Sequence, residues 1–69
     1  MDPQATWQEL LSCLSADQLA DARDHANALA QWLAKGGFPP QTIPLVAPGD
    51  ELHRVLAQAV VQHVLASDE

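Results

Sequence analysis

The side chains of this chain that could do acid–base, metal or nucleophilic chemistry are few: three histidines, one cysteine and nine acids. Asp21, Asp24 and His25 form the densest group. On a helix, Asp21 and His25 are i, i+4 neighbours and could reach one ion from the same flank. Two or three ligands leave the shell of an ion incomplete, so a solvated flank with an acid–imidazole pair is expected, and no metal. His63 falls between Val60 and Val64, near the middle of an apolar helical face. It is expected to be a neutral ring at the core edge; the alternative is a pH-sensitive contact in an interface. His53 and Glu51 belong to the first turn of the same helix, where exposure is expected.

Cys13 lies on the edge of an apolar stripe, with no base or cation beside it in the sequence to activate a thiolate. It reads as a buried or half-buried structural thiol. No glycine-rich phosphate loop is present, because Gly36-Gly37 ends a helix and lacks the third spaced glycine. No nucleophile elbow appears either. The chain therefore offers no catalytic set, no cofactor motif and no metal motif, and the reading is of a protein that is not an enzyme. A metal-dependent or hydrolytic activity would need at least two of His25, His53 and His63 brought together.

The bulk properties narrow the partners. Net charge is −6, with only Arg23, Lys35 and Arg54 as cations. Binding to nucleic acid or to an anionic membrane needs a cluster of Lys and Arg, so neither is expected. No apolar run reaches bilayer length, and no basic start with an apolar stretch marks a signal peptide. With its lone thiol, the chain is expected in the cytoplasm. Hydrophobic residues make up 48% of it, against disorder. Twelve are Ala and ten are Leu, strong helix formers that give a thin core.

Three helices must carry these residues, in an all-α bundle made of a helical hairpin and a third helix after a long Pro-rich connector. All of residues 1–69 are read as one helical domain. The first helix is expected over about 3–14, with Asp2 as cap, Pro3 in the first turn and Trp7, Leu10, Leu11 and Leu14 as its stripe. Thr6-x-x-Glu9 offers a second start. Ser15-x-x-Gln18 reads as a capping box opening a second helix over about 16–35. Its stripe is Leu19, Ala22, Ala26, Leu29, Ala30 and Leu33, and Gly36-Gly37 stops it. Prolines 39, 40, 44 and 48 keep residues 36–49 extended, and their apolar side chains are expected to lie across the helices.

The third helix is expected over 50–66, with Asp50 as cap. Leu52, Val55, Leu56, Ala59, Val60 and Val64 share one broad face; Val61 and Leu65 fall outside it, and Arg54, Gln58 and Gln62 form a narrow polar strip. A helix this apolar is either central to its bundle or buried against another chain.

The expected function is a small acidic protein-interaction module that self-associates, as a twofold homodimer, through the apolar face of this helix. Candidate contact residues are Trp32, Phe38, Leu52, Leu56, Val60, His63 and Val64. Trp32 is read first as core and otherwise as an interface anchor. The alternative is a monomeric accessory or regulatory subunit that docks on a larger protein through the same face or the Phe38-Pro39-Pro40 edge.

Overall fold

The first and third helices start where a side chain can satisfy amides that a first turn leaves unpaired. Asp2 accepts from the amides of Gln4 and Ala5 at 3.1 and 3.2 Å, and Pro3 opens α1, Pro3–Ser15. Asp50 accepts from Leu52 N–H at 2.9 Å and precedes α3, Glu51–Ala66. The middle helix α2, Leu19–Ala34, begins without such help, since Gln18 makes no side-chain cap bond. In a computed structural model, the structure describes residues 2–66, and among them these are the helices. Among the described residues, no helix is long and apolar enough to cross a membrane.

The Ser15 capping box does not form. Ser15 is the last residue of α1, and the chain turns through Asp17 at φ 60, in the left-handed region. Gln18 N–H bonds to the Cys13 carbonyl at 2.8 Å and Asp17 N–H to the Leu14 carbonyl at 3.2 Å, which closes a Schellman turn. This C-terminal motif consumes the residues that the box needed, so α2 starts three residues later than expected. The same motif ends α2. Gly37 N–H bonds to the Trp32 carbonyl at 2.9 Å and Gly36 N–H to that of Leu33 at 3.0 Å, with Gly36 at φ 83. A glycine takes that conformation without strain.

The core is one cluster fed by all three helices: Trp7, Leu10 and Cys13 from α1, Ala22, Ala26, Leu29 and Leu33 from α2, and Ala57, Val61 and Val64 from α3. Each fully buried leucine or valine contributes about 1.5–3 kcal/mol relative to exposure. Helix α2, with alanines that allow close approach, packs against both α1 and α3 and is the central helix. Of the two places expected for α3, the centre of the bundle is taken by α2. The accessible surface of 4245 Å² for 7.4 kDa matches the roughly 4,200 Å² of a typical folded monomer of that mass. The core therefore closes within one chain.

The face of α3 also differs from the expected one. Its buried residues are His53, Ala57, Val61 and Val64, with Val60 and Leu65 packed at the margin. Val61 and Leu65, expected outside, turn inward, while Leu52 and Val55 are exposed and Leu56 is half-buried. The helix is rotated relative to the apolar wheel because a buried polar cluster around His53 fixes its orientation.

The connector departs from expectation in the same sense. Pro39 and Pro40 are buried, but Phe38, Ile43 and Leu45 are exposed at 59%, 36% and 97%. Its backbone and the two prolines face the bundle, and the larger apolar side chains of Phe38, Ile43 and Leu45 do not.

Candidate functional site

The loop and the start of α3 are joined by polar contacts. His53 is completely buried. Its Nδ1 lies 2.9 Å from the Thr42 amide nitrogen and 2.8 Å from Thr42 Oγ1, while Nε2 lies 3.0 and 3.2 Å from the carbonyls of Ala47 and Val46. A backbone amide can only donate and a carbonyl can only accept. Nδ1 is therefore the acceptor and Nε2 carries the hydrogen, which fixes one neutral tautomer. A loop with four prolines cannot pair its own backbone groups in a ladder, and His53 supplies partners for both signs at once.

Three more side chains complete this clasp. Gln41 N–H donates to Gln4 Oε1 at 2.8 Å and the Gln41 carbonyl accepts from Gln4 Nε2 at 3.2 Å, so α1 holds the loop by a paired amide contact. Arg54 leaves the expected polar strip and donates to the carbonyls of Leu33 and Gly37 at 3.3 and 3.0 Å. There it meets the electronegative end of α2. The indole N–H of Trp32 donates to the Phe38 carbonyl at 2.8 Å. Its ring lies so close to Gly37 that a Cβ there would overlap it. Trp32 is half-buried against the core and pins the loop's first residues.

With His53, Ala57, Val61 and Val64 turned inward, the other side of α3 faces solvent. Leu52, Val55, Ala59 and His63 run i, i+3, i+7 and i+11 along it, exposed, with Leu56 at its shoulder. Apart from His63, none of them is ionisable. Of the residues expected to make contacts, Leu52 and His63 lie on this outward stripe, Leu56 and Val60 on its inner edge, and Val64 in the core. His63 is exposed, which corrects the core-edge expectation, while buried His53 corrects the expectation of exposure. Phe38 sits on the loop, exposed, with its ring beside Gly49.

The remaining reactive groups are dispersed. His25 faces Glu9 across the hairpin, with Nε2 3.8 Å from Oε1, instead of joining Asp21 and Asp24 around an ion. Among the described residues, no group of three or more His, Cys, Asp or Glu could hold a metal. His53 and His63 are ten residues apart on one helix, roughly 15 Å along its axis, and on different faces. Cys13 is buried. Burial pushes its thiol above the ordinary range, and the carboxylates of Asp21 and Glu9 push it the same way. That is the opposite of an activated nucleophile.

Two surface grooves accompany this arrangement. One, of about 290 Å³, lies between α1 and the loop and is lined by Gln4, Trp7, Gln8, Leu11, Gln41, Thr42 and Pro44. The other, of about 360 Å³, lies between α2 and α3 beside Leu33, Gln58 and Gln62. Neither lining holds an ionisable side chain, so what the grooves offer is contact, not proton transfer.

Sequence reasoning missed His53, Arg54, Thr42 and the Gln4–Gln41 pair. A signal for His53 exists in its i, i+4, i+7, i+8, i+11 spacing with Ala57, Val60, Val61 and Val64. Comparison with family models, curated proteins and solved structures returned no match to the chain.

Proposed function

We propose that the protein is a small, non-enzymatic interaction module that self-associates through the outward stripe of α3. One observation carries this reading: Leu52 and Val55 remain 41% and 52% exposed on a helix whose core face is already satisfied by other residues. An apolar stripe without acidic side chains of its own, on a chain of net charge −6, is where two copies can meet with least repulsion. Glu9, Asp17, Asp21 and Asp24 lie on the hairpin, outside α3, and the acids at α3 itself, Asp50 and Glu51, are confined to its N-terminal end beside Leu52. The occupant is a second copy in twofold contact, a homodimer that forms weakly because the stripe is narrow. The acidic surface and the buried free thiol fit a cytoplasmic setting, with protein as the partner and neither nucleic acid nor a membrane.

The experiment is sedimentation velocity across a concentration series of the wild type and of Val55→Glu. Val55 is outside the core, so the variant keeps its helicity while a charge enters the stripe. The wild type is expected to gain mass with concentration, and Val55→Glu to weaken this at least tenfold. Equal behaviour of the two would contradict the reading.

A second reading has its own support. The loop presents Phe38, Ile43 and Leu45 outward on a held backbone, a suitable edge for docking on a larger protein.

A further inference from the structure

The groups around the buried ring of His53 fit only its neutral form. Nδ1 accepts from the Thr42 amide, while Nε2 donates toward the carbonyls of Val46 and Ala47. A proton added to the ring must go to Nδ1, the nitrogen that keeps a lone pair. There it sets one N–H against another, because an amide has no lone pair to accept with. The Thr42 hydroxyl can turn and accept, but the amide beside it then has no acceptor. The imidazolium would also be a buried charge whose partners are an amide, a hydroxyl and two carbonyls, with no carboxylate among them.

The charged groups of the surrounding elements do not repair this. Residues 36–49 hold no ionisable side chain. Helix α1 meets the loop through the uncharged amide of Gln4. At the end of α2, Lys35 is exposed and of the wrong sign. On the side of α3, Asp50 and Glu51 are exposed, and the Asp50 carboxylate is turned to Leu52 N–H. In water their attraction for a buried ring is weak. Arg54, the next residue, adds a second cation and bonds to the carbonyls of Leu33 and Gly37.

The segment this ring holds can leave without dismantling the bundle. Among the described residues, the core cluster is drawn from the three helices. The described hydrogen bonds that tie residues 41–47 to the helices all come from Gln4 and His53. Before that segment, Trp32 and Arg54 hold Phe38 and Gly37 independently of the imidazole. We propose that residues 41–47 are an acid-released strap: protonation of His53 opens them from the bundle while the three helices stay packed. Opening uncovers His53 and the side of α1 that Gln41, Thr42 and Pro44 now wall. The closed state takes only the neutral ring and the open state takes either form, so proton uptake draws the population open. The device does not depend on association through the α3 stripe.

Imidazole nitrogen NMR and amide hydrogen exchange of the wild type, between about pH 8 and 5, test this. Exchange is corrected for its intrinsic dependence on pH. Opening at the Gln41 and Thr42 amides is expected to rise by up to about tenfold per unit of pH, in step with a second proton on the His53 ring. The amides of Leu29 and Val61 are expected to keep their protection. Gln41 N–H bonds to Gln4 and not to the ring, so it reports release of the whole strap. A His25→Gln, His63→Gln double variant is expected to behave as the wild type, and His53→Gln to lose the dependence on pH. The wild-type ring and amide signals decide alone if His53→Gln does not fold. Strap protection that stays constant down to pH 5, or a protonated ring with both amides still protected, would overturn the proposal. Simultaneous loss of protection in strap and helices would overturn it as well, since that is unfolding and not release.

Discussion

The two halves of this molecule are held together by different forces. The α1–α2 hairpin is an apolar contact: Trp7, Leu10, Leu29 and Leu33 meet with few polar side chains between them. The second half, from Phe38 to the first turns of α3, is held by hydrogen bonds around a fully buried imidazole, while several of its large apolar side chains face solvent. An apolar contact tolerates any side chain of about the right volume. A polar clasp tolerates only the right donors and acceptors, because each orphaned group keeps its desolvation cost.

Volume-conserving substitutions break the molecule unequally for this reason. His53→Leu removes the partners of the Thr42 amide and of the Val46 and Ala47 carbonyls, and is expected to cost about 3 kcal/mol or more in urea unfolding. That is a large part of the stability of a domain this small, roughly 3–10 kcal/mol. Leu29→Met, equally buried in the hairpin, is expected to cost less than about 1.5 kcal/mol, whereas Leu29→Ala costs about 2–5 kcal/mol. Similar costs for His53→Leu and Leu29→Met would erase the distinction between the halves.

The same contrast explains what was legible in the sequence. The hairpin was readable because one apolar stripe per helix is enough to place an apolar contact, and the Leu19-to-Leu33 periodicity of α2 gives its face directly. In α3 apolar residues occupy most of the circumference, so periodicity could not decide which arc points inward. The decision falls to His53 and Arg54, which a hydropathy wheel assigns to the outside. Thr42, Gln4 and Gln41 act across 11 to 37 residues of chain and leave no local pattern. Ser15 was misread for a related reason, since a capping box and a Schellman turn compete for the same residues and tertiary packing chooses between them.

Arg54 links the halves and gives the next largest effect. Arg54→Ala is expected to cost about 1–2 kcal/mol, the half-buried site and its charge-assisted bonds to the end of α2 setting the scale. Lysine, a point charge without the planar fork, restores less than half of it in thermal unfolding. Gly37→Ala forces the Trp32 ring off the loop and is expected to cost about 1–2 kcal/mol, with loss of the near-ultraviolet dichroism of that indole.

The smallest effect concerns Cys13. Native protein is expected to alkylate at least tenfold more slowly than urea-unfolded protein, because the thiol is buried and its ionisation is disfavoured by burial and then by Asp21 and Glu9. A raised native thiol also means that the unfolded chain loses its proton first as pH climbs. Its contribution to stability is thus fully present below the ordinary thiol range and declines above it. Cys13→Ala should flatten that alkaline decline in stability measured by urea unfolding.

The clasp sets the rotation of α3, and that rotation leaves Leu52, Val55, Ala59 and His63 facing outward for a second copy. A dilution series followed by amide and methyl NMR tests this most directly. Concentration-dependent shifts are expected along Leu52, Val55, Ala59 and His63, with Ala57, Val61 and Val64 unmoved. Spectra that do not change with concentration, or shifts centred on the acidic hairpin flank of Glu9, Asp21 and Asp24, would contradict it.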